Sequence, residues 1–410
     1  MRKIKKSQTC RYLYSGSGNY FVRPKALYVH DLSDNNVLGW FFLVFGIICI
    51  GLIANDLLAN VLDGGDPWKQ ADWLINNENQ LVRRGALGSA LIWISDTLGL
   101  PPLVPVYILQ LLFLLVLCGI LLLVFTRMKP KSAMAIIVFS PAFVFAFWAA
   151  DPAGSLRKEL IGYTAMALLL LIPIYPKRKH IIAFSSALLF GLGCIGHEVN
   201  VLLGLAYALV LWLCLRPSWP VGVGLVIYLA VICLGALAFA MTHTSVTDHT
   251  TICAPLTARD IDEDFCIGAI LWMEQDASFG AEQVESIFLS LRNLGLFLIS
   301  YGVIGVPFLY LISRLDRPFL ALSAALLLIL PVLPLYPVAV DWGRWMNFHV
   351  MSFAFVFLAA LSTGTMKVVR PVSVMVLVLV CLLGLVWEQP HVGIPRLAGV
   401  AAEIVPWGPT

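Results

Sequence analysis

The sequence predicts an all-α, polytopic integral membrane protein with about 11 transmembrane helices and an amphipathic interfacial helix in the first external loop. Composition, the length of the apolar stretches and the placement of basic residues all predict this class. Of 410 residues, 60% are hydrophobic and only 12% are charged, whereas about 25% are charged in a typical soluble domain. Mean hydropathy is +0.88. The composition therefore excludes a soluble protein.

Apolar stretches of about 20 residues, long enough to cross a bilayer as helices, recur along the chain. They lie at approximately 37–55, 102–125, 133–150, 160–175, 180–195, 199–215, 219–241, 293–313, 318–334, 348–365 and 372–388. The chain is therefore divided into a basic N-terminal tail (1–36), a transmembrane domain (37–388) with long external loops at 56–101 and 242–290, and a C-terminal tail (389–410).

The orientation follows from lysine and arginine, which accumulate in cytoplasmic loops. With the N-terminus in the cytoplasm, the segments on that side hold 18 of the 27 basic residues but only 3 of the 24 acidic ones. An odd number of spans then places the C-terminal tail outside. The N-terminal tail does not resemble a cleavable signal peptide. We expect a multi-pass protein of a bacterial inner membrane, surrounded by membrane lipids.

The first external loop contains apolar residues at helical spacing, which predicts an amphipathic helix lying in the membrane interface. These residues are Leu87, Ala90, Leu91, Ile94 and Leu98. Arg83 and Arg84 precede this helix. A helix N-terminus with two guanidinium groups beside it suits a phosphate or diphosphate. Alternatively, both arginines extend to lipid headgroups.

The short external loop "DPAGSLRKEL" places Arg157 and Lys158 at the start of the fourth span, with Ser155 as the expected N-cap. Cations are disfavoured there by the helix dipole and by the positive-inside rule. Their presence indicates a bound anion, unless Glu159 or Asp151 neutralises them locally.

In "CIGHEVNVL", His197 and Glu198 lie between apolar residues at the start of the sixth span. Either is a candidate general base with a pKa altered by partial burial. A zinc-protease helix needs a second histidine four residues later, where this chain has Val201. The alternative is a polar pair that ties two helices together.

The last external loop ends in "AVDWGRWM". Asp341 and Arg344 are three residues apart, so that Asp341 is expected to orient Arg344 toward a phosphate, while Trp342 or Trp345 covers a sugar. The alternatives are an ion pair of little energetic value and an ordinary interfacial tryptophan belt.

The fourth external loop contains Cys253 and Cys266, which are expected to form a disulfide in an oxidising compartment. The acidic run 260–264 does not have the spacing of a calcium loop and is more typical of a solvated acidic face. We therefore expect neither a metal nor a cofactor.

Arginine, lysine, acidic and aromatic residues at one membrane face, without a nucleotide-binding loop, fit a lipid-linked substrate. Its diphosphate would bind the cations, its sugar would stack on tryptophan, and a carboxylate or histidine would activate an acceptor hydroxyl. No nucleic-acid partner is expected.

The overall plan, together with the external "VRRG", "RKE", "HE" and "DWGRW" elements, resembles the polytopic GT-C-superfamily glycosyltransferases that use polyprenyl-linked donors, with the O-antigen polymerases and ligases. The resemblance implies a periplasmic active site, a polyprenyl-phosphate- or diphosphate-linked sugar as substrate, and polysaccharide-assembly partners. It also implies a catalytic acid in the first external loop, with Asp63, Asp66 and Asp72 as candidates. Arginines would hold the diphosphate, with Arg83, Arg84, Arg157 and Arg344 as candidates.

The chain departs from the GT-C pattern in lacking a paired-acid metal motif and a C-terminal soluble domain, and in its shorter external loops. Two other functions stay open. A membrane acyltransferase acting on a surface glycan or lipid would use His197 as its base. A secondary transporter of a polar solute would place charges within the membrane and often shows a repeated half, which this sequence lacks.

Overall fold

The computed structural model describes residues 36–215, 219–243, 246 and 248–404. Of the predicted N-terminal tail, only Asn36 falls within the described residues, where it begins the first helix. The end of the predicted C-terminal tail, 405–410, also lies outside them.

The described residues form 17 α-helices, several short 3-10 turns and one two-stranded hairpin. The helices before residue 200 are α1 (Asn36–Leu62), α2 (Lys69–Leu74), α3 (Gly85–Leu98), α4 (Leu103–Arg127), α5 (Lys131–Val138), α6 (Val144–Ala150), α7 (Glu159–Leu169) and α8 (Lys179–Gly196). The later ones are α9 (Gly204–Leu215), α10 (Trp219–Thr242), α11 (Thr250–Thr257), α12 (Ala277–Phe288), α13 (Leu291–Ile312), α14 (Pro318–Ile329), α15 (Trp342–Ser362), α16 (Val374–Val386) and α17 (Gly399–Ile404).

Among the described residues, eight helical segments are long and apolar enough to cross a membrane. They are Val37–Leu62, Leu103–Arg127, Pro176–Gly196, Glu198–Leu215, Pro220–Thr242, Leu291–Ile312, Pro318–Leu335 and Trp342–Ser362. The all-α, multi-pass membrane class is therefore confirmed, whereas the number 11 stays a prediction. The difference lies at three predicted spans, 133–150, 160–175 and 372–388.

The predicted span 133–150 is broken into α5 and α6 around Pro141, which has no N–H to donate within a helix. The amide of Asn347, on α15, donates to the carbonyl of Ala142 at 2.9 Å and accepts from the Tyr163 hydroxyl at 2.7 Å. Backbone that leaves a helix inside a membrane protein needs such a partner. The sequence pattern showed the apolar stretch but not this partner.

α7 and α16 are short apolar helices of 11 and 13 residues. Almost every residue of α7 is buried. Ser155 does not cap α7 as predicted, because its hydroxyl donates to the carbonyl of Pro152 and the helix begins only at Glu159. Arg157 and Lys158 therefore precede the helix.

α15 is the central helix of the bundle, buried along almost its whole length. It begins at Trp342, so the predicted span 348–365 starts six residues too late, and Arg344 lies in the first helical turn rather than in a loop. α10 lies at the periphery, with Ile227, Val231 and Leu234 exposed.

In the first loop, α1 continues to Leu62, past the predicted boundary at 56. α3 is present where a helix was predicted, but Leu98 is 63% exposed and the buried face instead contains Gly88 and Ile92. A Cβ on Gly88 would lie 1.9 Å from the carbonyl oxygen of Ile75, so α3 packs backbone to backbone against this segment.

The loop 242–290 is folded rather than open, and contains α11, α12 and a disulfide bond between Cys253 and Cys266. The C-terminal segment also folds back on the bundle. Its strands β1 (Trp387–Glu388) and β2 (Arg396–Leu397) pair antiparallel, and α17 packs against α6 and α16. The described part of this segment is therefore not a free tail.

Candidate functional site

Polar side chains from distant parts of the chain meet at one end of the bundle, which we call the site end. They form two adjoining clusters. The Glu198 group comprises Asp72, Arg83, Arg84, His197 and Glu198, and the Arg344 group comprises Arg157, Glu159, Asp341 and Arg344. The two groups are close enough for the charge of Arg344 to act on both Asp72 and Arg84.

Glu198 is the centre of the first group. Its Oε1 accepts from Nε and Nη2 of Arg84, at 2.8 and 2.6 Å. Nη1 of Arg83 is farther away, at 3.5 Å from the same oxygen, and Nε of Arg83 is buried without a partner. Burial and the neighbouring charge of Arg84 lower the pKa of Arg83 to about 10, which leaves it charged at neutral pH. Arg83 therefore has spare donors, whereas Arg84 is held by Glu198.

The backbone of Arg84 has a φ of +66°, in the left-handed region that a non-glycine residue rarely adopts. The Lys158 ammonium donates to its carbonyl at 3.1 Å. Lys158 is completely buried, and burial lowers its pKa to about 8. This lysine was predicted to bind substrate, but in this structure it supports the backbone at the start of α3.

Asp72 lies beneath Arg84, with its Oδ1 4.0 Å from both Nη1 of Arg84 and Nε2 of His197. Its other oxygen, Oδ2, is buried without a hydrogen-bond partner. Burial raises the pKa of Asp72, but the positive charges of Lys158 and Arg84 outweigh it and lower the pKa to about 2. Asp72 is therefore an ionised acid enclosed by protein.

His197 is 2% exposed, and its Nδ1 accepts the backbone N–H of Val199 at 3.1 Å. Burial and then the charge of Arg84 lower its pKa to about 4, so the imidazole is neutral at pH 7. Asn200, which sequence reasoning did not select, donates to the carbonyls of Lys158, Gly193 and His197 and fixes this turn.

In the Arg344 group, the guanidinium forms a two-pronged bond with Glu159, at 2.9 and 2.8 Å. Its Nη1 also donates to Asp341 at 3.0 Å. Nη1 of Arg157 is 3.9 Å from the same Asp341 oxygen, and Nε of Arg157 is buried without a partner. Glu159 thus neutralises Arg344 and not the adjacent Arg157 and Lys158. In this group, Arg157 is the cation that keeps an unused donor.

The segment that carries Arg157 is fixed by two hydrogen bonds to one carbonyl. Leu156 has a φ of +54°, and its carbonyl accepts from the Trp73 indole and the Gln110 amide, both at 2.9 Å. α2 and α4 therefore hold Arg157 and Lys158 in place.

Sequence reasoning missed His391, which the folded C-terminal segment brings to this end. Its Nδ1 is 2.6 Å from Oδ2 of Asp151, and its backbone N–H donates to the same oxygen. The charge of Arg157 acts on both Asp341 and Asp151, so this pair adjoins the Arg344 group. A histidine between proline-rich turns gave no local signal, because its partner is 240 residues away.

A groove of about 520 Å³ opens beside the Glu198 group. Its polar end is formed by Arg83, Arg84 and Glu198. Its apolar walls come from α8 and α10, through Cys194, Ile195, Val231, Ile232, Gly235, Ala236, Phe239 and Ala240. Charged and apolar surfaces thus meet in one groove between membrane helices.

Several predicted residues are held in local structure instead. Asp66 accepts the backbone N–H groups of Trp68 and Lys69, at 2.8 and 2.6 Å, and so caps the start of α2. Trp342 stacks on Phe288 at 4.3 Å and donates to the carbonyl of Tyr336. Trp345 is 4% exposed. In this conformation neither tryptophan is a free surface for a sugar.

Asp63 is in neither group. It lines a second cavity, of about 570 Å³, together with Asp96, Arg259, Asp260 and Asp262. Arg259 is paired there with Asp96 at 2.7 Å and with Glu78 at 3.0 Å.

One cluster in the described part of the chain has the donor types of a cation site. Ligand atoms of Asp248, His249 and Glu274 lie within 4.8 Å of one another. His249 Nδ1 is 2.6 Å from Glu274 and 4.0 Å from Asp248, and the Asp248 oxygen accepts from the backbone N–H of Thr250. Hydrogen bonding accounts for this arrangement without an ion.

Comparisons with models of known protein families, with curated proteins and with solved structures found no match.

Proposed function

We propose that the protein is a membrane glycosyltransferase that takes a sugar from a polyprenyl-phosphate or diphosphate carrier at the extracytoplasmic face, in the assembly of a surface polysaccharide such as O-antigen. The observation that carries the proposal is the groove between α8 and α10, which joins two guanidinium groups to apolar membrane helices. A polyprenyl phosphate has the same two parts, an anionic head and a long apolar chain.

The apolar part of the groove suits a chain entering from the bilayer. Gly235, Ala236 and Ala240 are small, and a Cβ on Gly235 would meet no other atom within 4 Å. Small residues on a membrane helix let another chain approach closely. In the free protein this space would be filled by lipid, so a carrier lipid enters without opening the bundle.

Arg83 is the residue that we assign to the phosphate. Its side chain is 23% exposed and lines the groove. Its Nη1 is 3.5 Å from Oε1 of Glu198, and its Nε has no hydrogen-bond partner. Arginine matches phosphate with two parallel hydrogen bonds. Arg84, by contrast, would have to release Glu198 before binding an anion.

The membrane face follows from the sequence-based topology. If the N-terminus is cytoplasmic and 11 spans cross, the site end is extracytoplasmic. A lipid-linked donor supplies its own activated phosphate leaving group, so transfer at that face needs neither ATP nor a nucleotide sugar. Arg83 and Arg157 would offset the negative charge that develops on the departing phosphate.

The first prediction concerns Arg83. Replacing it with alanine removes charge-assisted hydrogen bonds worth about 1.5–3 kcal/mol, a loss of about 10- to 100-fold in affinity. The full-length protein in nanodiscs is titrated with undecaprenyl phosphate, and binding is measured by native mass spectrometry. Arg292→Ala is the matched control, since Arg292 is an exposed arginine at the start of α13.

Two further titrations distinguish the source of the phosphate. Phosphatidylglycerol tests whether any anionic lipid suffices, and inorganic phosphate tests whether the apolar chain matters. We expect Arg83→Ala to weaken the binding of undecaprenyl phosphate and to leave the binding of the other two ligands unchanged. Equal affinity of wild type and Arg83→Ala for undecaprenyl phosphate would remove the phosphate assignment.

The activity itself is tested in cells that lack the gene. A glycosyltransferase of this type predicts lost surface polysaccharide, read from its banding on a gel, and accumulation of the lipid-linked precursor. An acyltransferase instead predicts a normal banding pattern with a missing acyl group by mass spectrometry. A transporter predicts normal polysaccharide and a loss of solute uptake in vesicles. Normal polysaccharide in the deletion strain contradicts the proposal.

A further inference from the structure

We propose that His391, paired with Asp151, is the catalytic residue that accepts a proton from the acceptor hydroxyl. The inference rests on the proposed function, and it assigns a role to a residue outside every motif of the sequence analysis. His391 Nδ1 and Asp151 Oδ2 are joined by a bond of 2.6 Å.

The pairing decides which ring nitrogen carries the proton. Burial raises the pKa of Asp151, but the hydrogen bonds from His391 and the charge of Arg157 outweigh it, so the pKa is lowered and the carboxylate is ionised. An ionised carboxylate only accepts hydrogen bonds, so Nδ1 must donate. The lone pair of a neutral His391 is then on Nε2. A base oriented by a buried carboxylate is a recurrent catalytic arrangement.

The other end of the ring is available. Among the described residues, no hydrogen bond to Nε2 of His391 is found, and the side chain keeps 16% of its surface exposed. A general base must come within hydrogen-bond reach of the proton that it takes. His391 therefore has both an oriented lone pair and a surface that a hydroxyl can reach.

The other candidate bases are less suited. Glu198 and Asp341 each form an ion pair, with Arg84 and Arg344 respectively, and a neighbouring guanidinium lowers the proton affinity of a carboxylate. Asp72 is 4% exposed and lies 4.0 Å from both Arg84 and His197, so it is enclosed by its own cluster. His197 is 2% exposed, and its Nδ1 already accepts a backbone N–H.

A guanidinium with an unused hydrogen-bond donor, that of Arg157, lies near the His391 pair. Arg157 is 7% exposed, so it is nine-tenths buried, and its Nε is unpartnered. The described ionisable groups that face the pair are Arg157 from the segment before α7, Asp341 from the segment before α15, Arg396 from β2 and Glu403 from α17. A buried guanidinium with an unused donor suits the departing phosphate.

The oxygen of the acceptor hydroxyl forms a bond to the anomeric carbon of the donor sugar. The bond from that carbon to the phosphate oxygen of the carrier breaks, and its electron pair leaves with the phosphate. The hydroxyl proton moves to Nε2 of His391 and is later released to water.

A purely structural role makes a different prediction. The bond to Asp151 also anchors the C-terminal segment, and a Cβ on Gly154 would lie 2.7 Å from Cβ of His391, so this region is closely packed. Asparagine can place an amide N–H where Nδ1 lies and keep the bond to Asp151. His391→Asn therefore retains the anchor and removes only Nε2.

The second prediction uses this substitution. Lipid-linked glycan extracted from the deletion strain is the donor, and turnover by the full-length protein in nanodiscs is followed from pH 5 to 8. We expect His391→Asn to lower kcat by about 100-fold or more with little change in KM, the usual contribution of a general base. The wild-type rate should fall on acidification, as imidazoles protonate, and this fall should be absent in the variant.

The matched control is His249→Asn. His249 is also partly exposed and bound through Nδ1 to a carboxylate at 2.6 Å, but it lies in the loop 242–290. Its replacement should leave both kcat and the pH profile unchanged. Wild-type turnover with a wild-type pH profile in His391→Asn would overturn the assignment of the base.

The two proposals fail separately. Normal polysaccharide in the deletion strain overturns the proposed function. Lost polysaccharide in that strain together with a fully active His391→Asn variant overturns only the assignment of His391 as the base. If His391→Asn does not fold, Asp151→Asn keeps the imidazole and replaces the ionised carboxylate with a neutral amide, whose single oxygen cannot accept from both Gly154 and His391 in the native geometry. We expect a lower kcat in this variant, and full activity in it would overturn the proposal.

Discussion

Lys158 shows at the scale of one residue how a cation can be held inside this protein. Its ammonium is completely buried and donates to the carbonyl of Arg84, and Asp72 is the opposite charge that acts on it most strongly. A buried ammonium is costly unless it is paired and hydrogen-bonded. The ionised Asp72 supplies that compensation, so the two residues stabilise each other.

The third prediction is the pH dependence that follows. Burial lowers the pKa of Lys158 from 10.5 to about 8, so between these values the unfolded chain binds more protons than the folded one. Stability therefore rises as the pH increases from 8 to 10.5, by up to about 3 kcal/mol. The free energy of unfolding in mixed micelles at pH 7 and 10.5 measures this gain. Lys158→Met should lose it, and an unchanged gain in this variant would contradict the argument.

Residues close in sequence were the predictable part of the site. Asp341 and Arg344 are three residues apart, and the expected bond between them is present at 3.0 Å. Glu159, the closer partner of Arg344, is 185 residues away from it, and His391 is 240 residues from Asp151. No periodicity in the sequence encodes such pairs, because they depend on how the helices pack. The functional roles of these residues stay predictions.

At the scale of elements, apolar periodicity located the helices better than their packed faces. α3 was predicted correctly as a helix following Arg84, but its expected apolar face included Leu98, which is exposed. The buried face is set by Gly88, which allows the helix backbone to approach Ile75. Small residues carry no hydrophobic signal, so a face made by close backbone contact is invisible to a hydropathy pattern.

The fourth prediction tests this contact. In Gly88→Ala the new Cβ would lie 1.9 Å from the carbonyl oxygen of Ile75, so α3 must shift, at a cost of about 1–3 kcal/mol. Gly119→Ala in α4 is the control, since a Cβ there meets nothing within 4 Å; it should be neutral or stabilising by up to about 1 kcal/mol. Unfolding in mixed micelles compares the two variants. Equal stabilities would contradict the packing argument.

At the scale of the whole molecule, the orientation depends on three short apolar segments. The eight long helices alone would leave both ends on the same side, whereas 11 crossings place them on opposite sides. α7, with 11 residues, is about 16 Å long, and α16, with 13, is about 20 Å, both shorter than the hydrocarbon core of about 30 Å. α7, however, is buried among other helices, where non-helical backbone can complete a crossing.

The fifth prediction is that the two ends lie on opposite sides of the membrane. Alkaline phosphatase, which is active only outside the cytoplasm, should be active when fused after residue 404 and inactive when fused before residue 36. A fluorescent protein that matures only in the cytoplasm should give the converse result. The number of crossings would then be odd, so that one or all three of the short segments cross, in keeping with a site end that faces the compartment where lipid-linked sugars are transferred. Both fusions reporting the same side would mean an even number of crossings and would remove the topological support for an extracytoplasmic site.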